Sequence, residues 1–522
     1  MFYAASLPRL GWRLEEGRFG VGLVATYLDL AVDELLTSDL SQFAQATDYD
    51  TCWAARLTNV DGSPAYPHLL QALRERQHPD GSWGSRIPYS HDRMLSTLAV
   101  VLLLSLFGKR KRDREQCSAG VRYIWQQASE LEHDVHPTAG FEMILPALLW
   151  EGRELGLDLP YAELRHYEAE RARKLSVLPD RRLFKSRTTA LHSLEAFAGR
   201  VDLDDASTLL LEDGSMAGSP SATAWFLGQF PDWRTRYPQS TAYLENLLRG
   251  NDSGLPAMAP CGIFARTWVL YYLYQGGLLD DREDLLRPHY QYLREHWHPE
   301  GVGFSPYMFP DSDDTSMALL ALHRAGYDVD GTPLLAYERD EHFAVFEYEL
   351  QPSISANLHI LEALETLPRH DRQRVRDKII DYVFRERRPG GYWVDKWHGS
   401  VYYPTSQALM ALLPHAPNRM DDSLNWLLST QRTDGSWGQY APTVEETALV
   451  LLPLLLYRRA GWPIPKQPLR LAARYLLSNQ ISFEQDHTEL WSAKVLYAPS
   501  SIIRSVTLAA LGLYQDTFED LA

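Results

Sequence analysis

Five stretches in the C-terminal half of the chain share one form: a small hydroxyl residue leading into a tightly apolar helix. They are Thr315-Ser-Met-Ala-Leu-Leu-Ala-Leu, Ser355-Ala-Asn-Leu-His-Ile-Leu, Thr405-Ser-Gln-Ala-Leu-Met-Ala-Leu-Leu, Thr447-Ala-Leu-Val-Leu-Leu and Ser505-Val-Thr-Leu-Ala-Ala-Leu. Their starts lie 40 to 58 residues apart, room for one helical hairpin per repeat. A helix that is apolar on most sides has to be buried. More amphipathic helices, such as 371–384, lie between the apolar ones. An inner ring of buried helices inside an outer ring satisfies both patterns. The competing arrangement is an open helical solenoid. Strand-like alternation is scarce, so the expected fold class is all-α.

A second repeat joins the two halves. Gln77-His-Pro-Asp80-Gly81-Ser82-Trp83-Gly84 returns as Gln431-Arg-Thr-Asp434-Gly435-Ser436-Trp437-Gly438. In each copy Asp-Gly makes a turn after an amphipathic helix. The Trp packs back on the helix end, and the Gln bonds freed backbone groups. Two copies in matching context predict two related helical domains, which 522 residues can accommodate.

The sharpest chemical feature is Pro310-Asp311-Ser312-Asp313-Asp314-Thr315, at the start of the first apolar repeat. One reading is helix capping, for which Asp is well suited. The other is a shared-proton acid: crowded carboxylates cannot all ionise, so one stays protonated and becomes a capable proton donor. The helix dipole opposes that, so the acid reading also needs a dry, enclosed site.

Composition narrows the partners. A net charge of −17 argues against a nucleic-acid backbone. Cys52, Cys117 and Cys261 are odd in number and far apart, which suggests neither disulfides nor a zinc site and fits a reducing cytoplasm. Met1-Phe2-Tyr3 lacks a basic segment, and Arg9, Arg13, Glu15 and Glu16 interrupt any early apolar run, so no secretory signal is expected. The apolar stretch Leu98 to Phe107 is too short to span a bilayer, so no transmembrane segment is expected either. The sequence leaves the oligomeric state open.

These landmarks together resemble the class II terpene cyclases, in particular their bacterial diterpene cyclase branch, relatives of squalene-hopene cyclases and plant copalyl diphosphate synthases. The two Gln…Trp repeats look like the family's QW motifs, and Asp311-Ser312-Asp313-Asp314 matches its Asp-x-Asp-Asp signature. Asp48-Tyr49-Asp50-Thr51-Cys52-Trp53-Ala54, His91 to Ala99, Gly140 to Pro146, Lys396-Trp397-His398 with Tyr402-Tyr403, and Leu490 to Tyr497 resemble further family segments. The resemblance implies two α/α-barrel domains, called β and γ, with the cavity between them. It places an N-terminal segment and the first β helix in residues 1–40, γ in 41–265, and the rest of β in 266–522, with the acid.

By the same resemblance Asp313 is the proton donor, and Asp311 and Asp314 hold and polarise it. Lys494, Lys396 and Arg504 are candidates to hold a retained diphosphate. Mg2+ is the implied cofactor, with Glu132 and Asp134 as its candidate ligands; the bland alternative for them is a solvated helix end. Leu191-His192-Ser193 resembles a plant segment whose His works with an Asn. Here Ala257 replaces that Asn, so His192 is either the terminating base or a satisfied core histidine. With 15 Trp, 28 Tyr and 17 Phe, aromatic faces are available to stabilise cations. Asp280-Asp281-Arg282-Glu283-Asp284 formally matches a metal motif of diphosphate-ionising synthases, but its charge on all sides reads as a surface turn.

The implied activity is protonation-initiated cyclisation of geranylgeranyl diphosphate to a bicyclic diterpenyl diphosphate of copalyl, halimadienyl or kolavenyl type. A drimenyl-type cyclase acting on farnesyl diphosphate is the same chemistry in a shorter pocket. From another class, a non-catalytic α/α-barrel carrier of prenyl chains would share the apolar helices but not need all three carboxylates.

Overall fold

The computed structural model describes residues 21–41, 45–177, 185–250, 253–347, 349, 351–479 and 487–518. The first 20 residues assigned to the N-terminal segment lie outside these. The described chain is helical almost throughout, and its one sheet is a two-stranded antiparallel ribbon pairing Trp491–Ser492 with Leu496–Tyr497.

Two large apolar cores organise the helices. The larger gathers buried residues from Leu28 to Leu40 and from Ala257 to Phe518; the smaller gathers Tyr49 to Leu255 and also takes in Met308 and Val495. Helix Val21–Thr37 packs on helix Ser500–Thr517, the last of the chain. The smaller unit is therefore an insertion after the first helix of the larger one. The change of core falls between Leu255 and Ala257. A division after residue 265 would cut helix Gly262–Gln275, whose first residues Ile263, Phe264 and Ala265 are buried in the larger core.

The apolar repeats have a specific purpose in the packing. A hydroxyl near the start of a buried helix accepts the backbone N–H of the turn before it: Thr97 from Trp83, Thr223 from Met216, Thr315 from Val302, Thr405 from Trp393 and Thr447 from Trp437, at 2.8 to 3.1 Å. Such a bond satisfies a donor that would otherwise be orphaned in an apolar core.

The two Gln…Trp copies superimpose in detail. Trp83 Nε1 donates to the Leu73 carbonyl and Trp437 Nε1 to that of Leu427, both at helix ends. Gln77 bridges the carbonyls of Gly81 and Gln116, and Gln431 those of Gly435 and Pro468, so each Gln ties its turn to the second helix after it, Lys111–Gln127 or Lys466–Ser478. Gly81 and Gly435 hold φ of +95° and +91°, and a Cβ would lie 2.7 Å and 2.6 Å from the backbone of Ala119 and Leu471 in those same helices. Only glycine fits there.

Helix Ser90–Phe107 is the one described helix long and apolar enough to cross a membrane, and 83% of that stretch is buried within the protein. The Asp280 to Asp284 run lies in an exposed turn and at the start of the helix after it, where Arg282 pairs with Asp29 and Asp33 on the first helix. It clamps two elements of the larger unit together.

Candidate active site

A cavity of about 310 Å³ lies between the two cores. The smaller unit contributes Gly140, Met143, Lys174, His192 and Phe197; the larger contributes Phe264, Trp268, Phe304, the three aspartates, Lys396, Tyr403 and Trp491. Its walls are mostly apolar and aromatic.

Asp311 is the N-cap of helix Ser312–Arg324, and its Oδ1 accepts the Asp314 N–H at 2.8 Å. Capping thus accounts for Asp311 but not for its two companions. Burial, and then the charge of Asp313, push the Asp311 carboxyl up to about 7. Burial and the charges of Asp311 and Asp313 raise Asp314 well above the carboxylate range, and its Oδ1 is buried without a partner. Asp313 is the least buried of the three, with a side chain 13% exposed. Its Oδ1 lies 2.5 Å from Nδ1 of His359, which comes from helix Ile354–Glu362. Burial lowers the basicity of His359, but the Asp313 charge and hydrogen bond outweigh it and the ring is raised overall. The indole of Trp268 meets His359 edge-on at 5.3 Å and fixes the ring. The sequence reading missed His359, although it stands in the second apolar repeat as the only ionisable group of that run.

His192 lines the cavity, and its Nδ1 lies 2.9 Å from the Ala217 carbonyl. A carbonyl only accepts, so Nδ1 carries the hydrogen and Nε2 keeps its lone pair. Burial and the nearby Lys494 push the imidazole down to about 3, so it is neutral at ordinary pH. Ala257 is buried in the larger core, while its neighbour Met258 faces the cavity.

The basic candidates separate. Lys494 lines the cavity, but its ammonium is already engaged. Its Nζ is held by the His192 carbonyl at 2.8 Å, Glu195 Oε1 at 2.8 Å, Ser219 Oγ at 2.7 Å and Ser221 Oγ at 2.5 Å. Four acceptors exceed the three N–H bonds of an ammonium, and the pair with Glu195 is about 1% exposed on each side. Lys494 is a buried strut that ties the Trp491 to Tyr497 ribbon into the smaller unit. Arg504 is also displaced from the expected role: it sits early on the last helix, pairs with Glu34 of the first, and is not part of the cavity wall.

Lys396 does line the cavity, bonded to Glu349 and, at 2.7 Å, to the Gln351 carbonyl. Burial, then the charge of Lys174, push its ammonium down to about 7. Lys174, absent from the sequence reading, lines the cavity and pairs with Glu142, and burial lowers it as well. Its helix, His166–Val177, is mostly polar, with Tyr167 and Leu175 on the core side, and gave no signal that one of its charges turns inward. Two lysines close enough to repel each other, each neutralised by one carboxylate, form a site that an incoming polyanion can take over.

The acidic pair chosen for a metal does not fit one. Asp134 accepts the backbone N–H groups of Ser90 and His91 at 3.0 and 2.7 Å, and meets His91 Nδ1 at 2.7 Å. Its carboxylate is used up capping helix Ser90–Phe107. Glu132 is exposed on a single turn, Leu131–His133, outside the cavity wall. Among the described residues no three His, Cys, Asp or Glu side chains gather as a metal site.

An all-helical pair of barrels, joined by an insertion after the first helix and enclosing a carboxylate cluster in an aromatic cavity, is the architecture of a class II terpene cyclase. Residues 325–452 match the squalene-hopene cyclase C-terminal domain. The chain is 31% identical over 501 residues to a type B diterpene cyclase from Mycobacterium tuberculosis, covering 92% of this chain and 98% of that one. It is 30% identical to a copalyl diphosphate synthase from Streptomyces cyslabdanicus, over 94% and 95% of the two chains. Among solved structures, ent-copalyl diphosphate synthase from Streptomyces platensis aligns with a TM-score of 0.76 at 27% identity, over 93% of this chain and 99% of that one. The chain belongs to the bacterial class II diterpene cyclases.

Proposed function

We propose that the enzyme cyclises geranylgeranyl diphosphate to a bicyclic diterpenyl diphosphate of copalyl, halimadienyl or kolavenyl type, with the diphosphate retained. The observation that carries this reading is the Asp313 carboxyl, pinned through one oxygen and open to an aromatic cavity. Asp313 delivers its proton to the terminal alkene. The Nδ1–H of His359 on Oδ1 holds the carboxylate left behind. Asp311 and Asp314, held toward their neutral forms, add little repulsion to that new charge.

Ring closure then moves positive charge along the chain past Phe264, Trp268, Tyr403 and Trp491, whose faces stabilise it. His192 Nε2 takes the final proton. Its low basicity is no obstacle, because a C–H beside a carbocation is a far stronger acid than an imidazolium. Lys174 and Lys396 hold the diphosphate, with Glu142 and Glu349 displaced from them. Mg2+ is a proposed companion of the substrate's diphosphate, held by groups other than Glu132 and Asp134. We also place the reaction in the cytoplasm, which suits the three free thiols.

The test is incubation of purified protein with geranylgeranyl and farnesyl diphosphates, followed by dephosphorylation and product identification. A bicyclic diterpenol from the first substrate is expected. Preferential conversion of farnesyl diphosphate overturns the substrate assignment, and no cyclic product from either overturns the reading as a whole.

A further inference from the structure

We infer that Glu445 is a buried counter-charge for the carbocation, acting through the indole of Trp491. The inference rests on the cyclisation proposed above and adds a residue to it.

Four buried helices of the two barrels start on one pattern. A capping side chain accepts the N–H three residues on: Ser219 from Ala222, Asp311 from Asp314, Ser353 from Ala356 and Thr443 from Glu446. The residue four after the cap, Thr223, Thr315, Asn357 or Thr447, accepts an N–H from the segment before the helix. The residue two after the cap is Ser221, Asp313, Ser355 or Glu445. Glu445 thus stands in its helix where Asp313 stands in its own.

Glu445 is buried beside hydrogen-bond donors. The side chain is 4% exposed. Oε1 receives the indole N–H of Trp491 at 2.6 Å and faces Nε2 of His398 at 3.4 Å. His398 Nδ1 accepts the Ser400 N–H at 3.1 Å, so its hydrogen is on Nε2 and points at the glutamate. Two N–H donors therefore converge on one oxygen. The first turn of helix Val444–Arg459 adds the positive end of its dipole.

Trp491 lines the cavity and is locked in place by Tyr403 at 4.9 Å, His398 at 5.4 Å and Phe264 at 5.7 Å. An anion on the indole N–H pushes electron density into the ring and strengthens its attraction for a cation. A purely structural role does not require charge, because a glutamine carbonyl accepts an indole N–H equally well.

The experiment compares wild type, Glu445→Gln, Trp491→Phe and the double variant with geranylgeranyl diphosphate, reading kcat, KM, products and thermal melts. We expect Glu445→Gln to lower kcat about tenfold to a hundredfold, with KM and melting temperature near wild type and more partly cyclised product. In the Trp491→Phe background, which has no N–H for the glutamate to polarise, the same substitution should change kcat much less. A wild-type kcat and product in Glu445→Gln overturns the inference. So does an undiminished loss in the Trp491→Phe background, or a Glu445→Gln protein that no longer folds. A wild-type enzyme that makes no cyclic product instead overturns the functional reading beneath it.

Discussion

Helix Ser312–Arg324 of the larger unit and helix Pro220–Leu227 of the smaller one begin alike and end up with different chemistry. Asp311 and Ser219 each cap by accepting the N–H three residues on, at 2.8 and 3.1 Å. Thr315 and Thr223 each accept an N–H from the turn before, at 2.9 and 2.8 Å. Between cap and clamp one helix has Ser312-Asp313-Asp314 and the other Pro220-Ser221-Ala222. The second start needs no carboxylate, so the fold demands the cap and the clamp and leaves the inner positions free. In the smaller unit the Ser219 and Ser221 hydroxyls receive the ammonium of Lys494. In the larger, the Asp313 carboxyl receives His359 and faces the cavity.

The strongest way to break this comparison is to change the second position in each helix, two residues after the cap. Asp313→Asn keeps size and hydrogen bonding but removes the acid, so cyclisation should fall about a thousandfold or more, with the melt near wild type. Ser221→Ala should leave initiation largely intact. An Asp313→Asn protein that is folded and still cyclises would remove the acid from that slot.

Stability should respond in the opposite sense at the ammonium. Lys494→Ala leaves the buried Glu195 without its counter-charge, though still bonded to the Tyr49 hydroxyl, a loss of about 3–5 kcal/mol, visible in a denaturant or thermal melt. A variant that melts like wild type would show that the strut is dispensable.

Lys396→Ala and Lys174→Ala should act on substrate binding as well as on stability, since each also leaves a buried glutamate, Glu349 or Glu142, without its lysine. Each removes a charged contact to the diphosphate worth about 1.5–3 kcal/mol, so KM should rise roughly tenfold to a hundredfold. Equal KM values for variants and wild type would take the diphosphate away from this wall.

A smaller effect tests the electrostatics of the acid end. The folded protein binds a proton on Asp311 more tightly than the unfolded chain does, with a folded value of about 7 against an ordinary 3.8. The stability this gives is complete below about pH 4 and is lost as pH rises toward 7. Asn caps a helix as well as Asp, so Asp311→Asn should gain melting temperature relative to wild type between pH 5 and pH 7. A difference that is flat across that range would place the Asp311 proton elsewhere in the cluster. The smallest effect expected is that of Glu132→Ala, which should leave turnover and its Mg2+ dependence as they are.

Much of this protein is written locally. The apolar repeats, the Asp-Gly turns and the Gln and Trp clamps each act within one helical hairpin and its neighbour, so spacing alone exposes them. The Asp311 to Asp314 cluster is legible for the same reason: its crowding is a property of four consecutive residues. What a lone charged side chain does was decided by tertiary structure. Asp134 ends the turn Leu131–His133 and is consumed by Ser90 and His91 from another segment, while Asp313, in the first turn of its own helix, keeps an oxygen for the cavity. Lys494 sits in a family-like motif, yet its three hydrogens are taken by residues some 270 to 300 positions away, while Lys174, in an unremarked polar helix, turns inward. A charge is available for chemistry only when its hydrogen-bonding capacity is left unfilled by the fold, and the partners that fill it come from elements far apart in sequence.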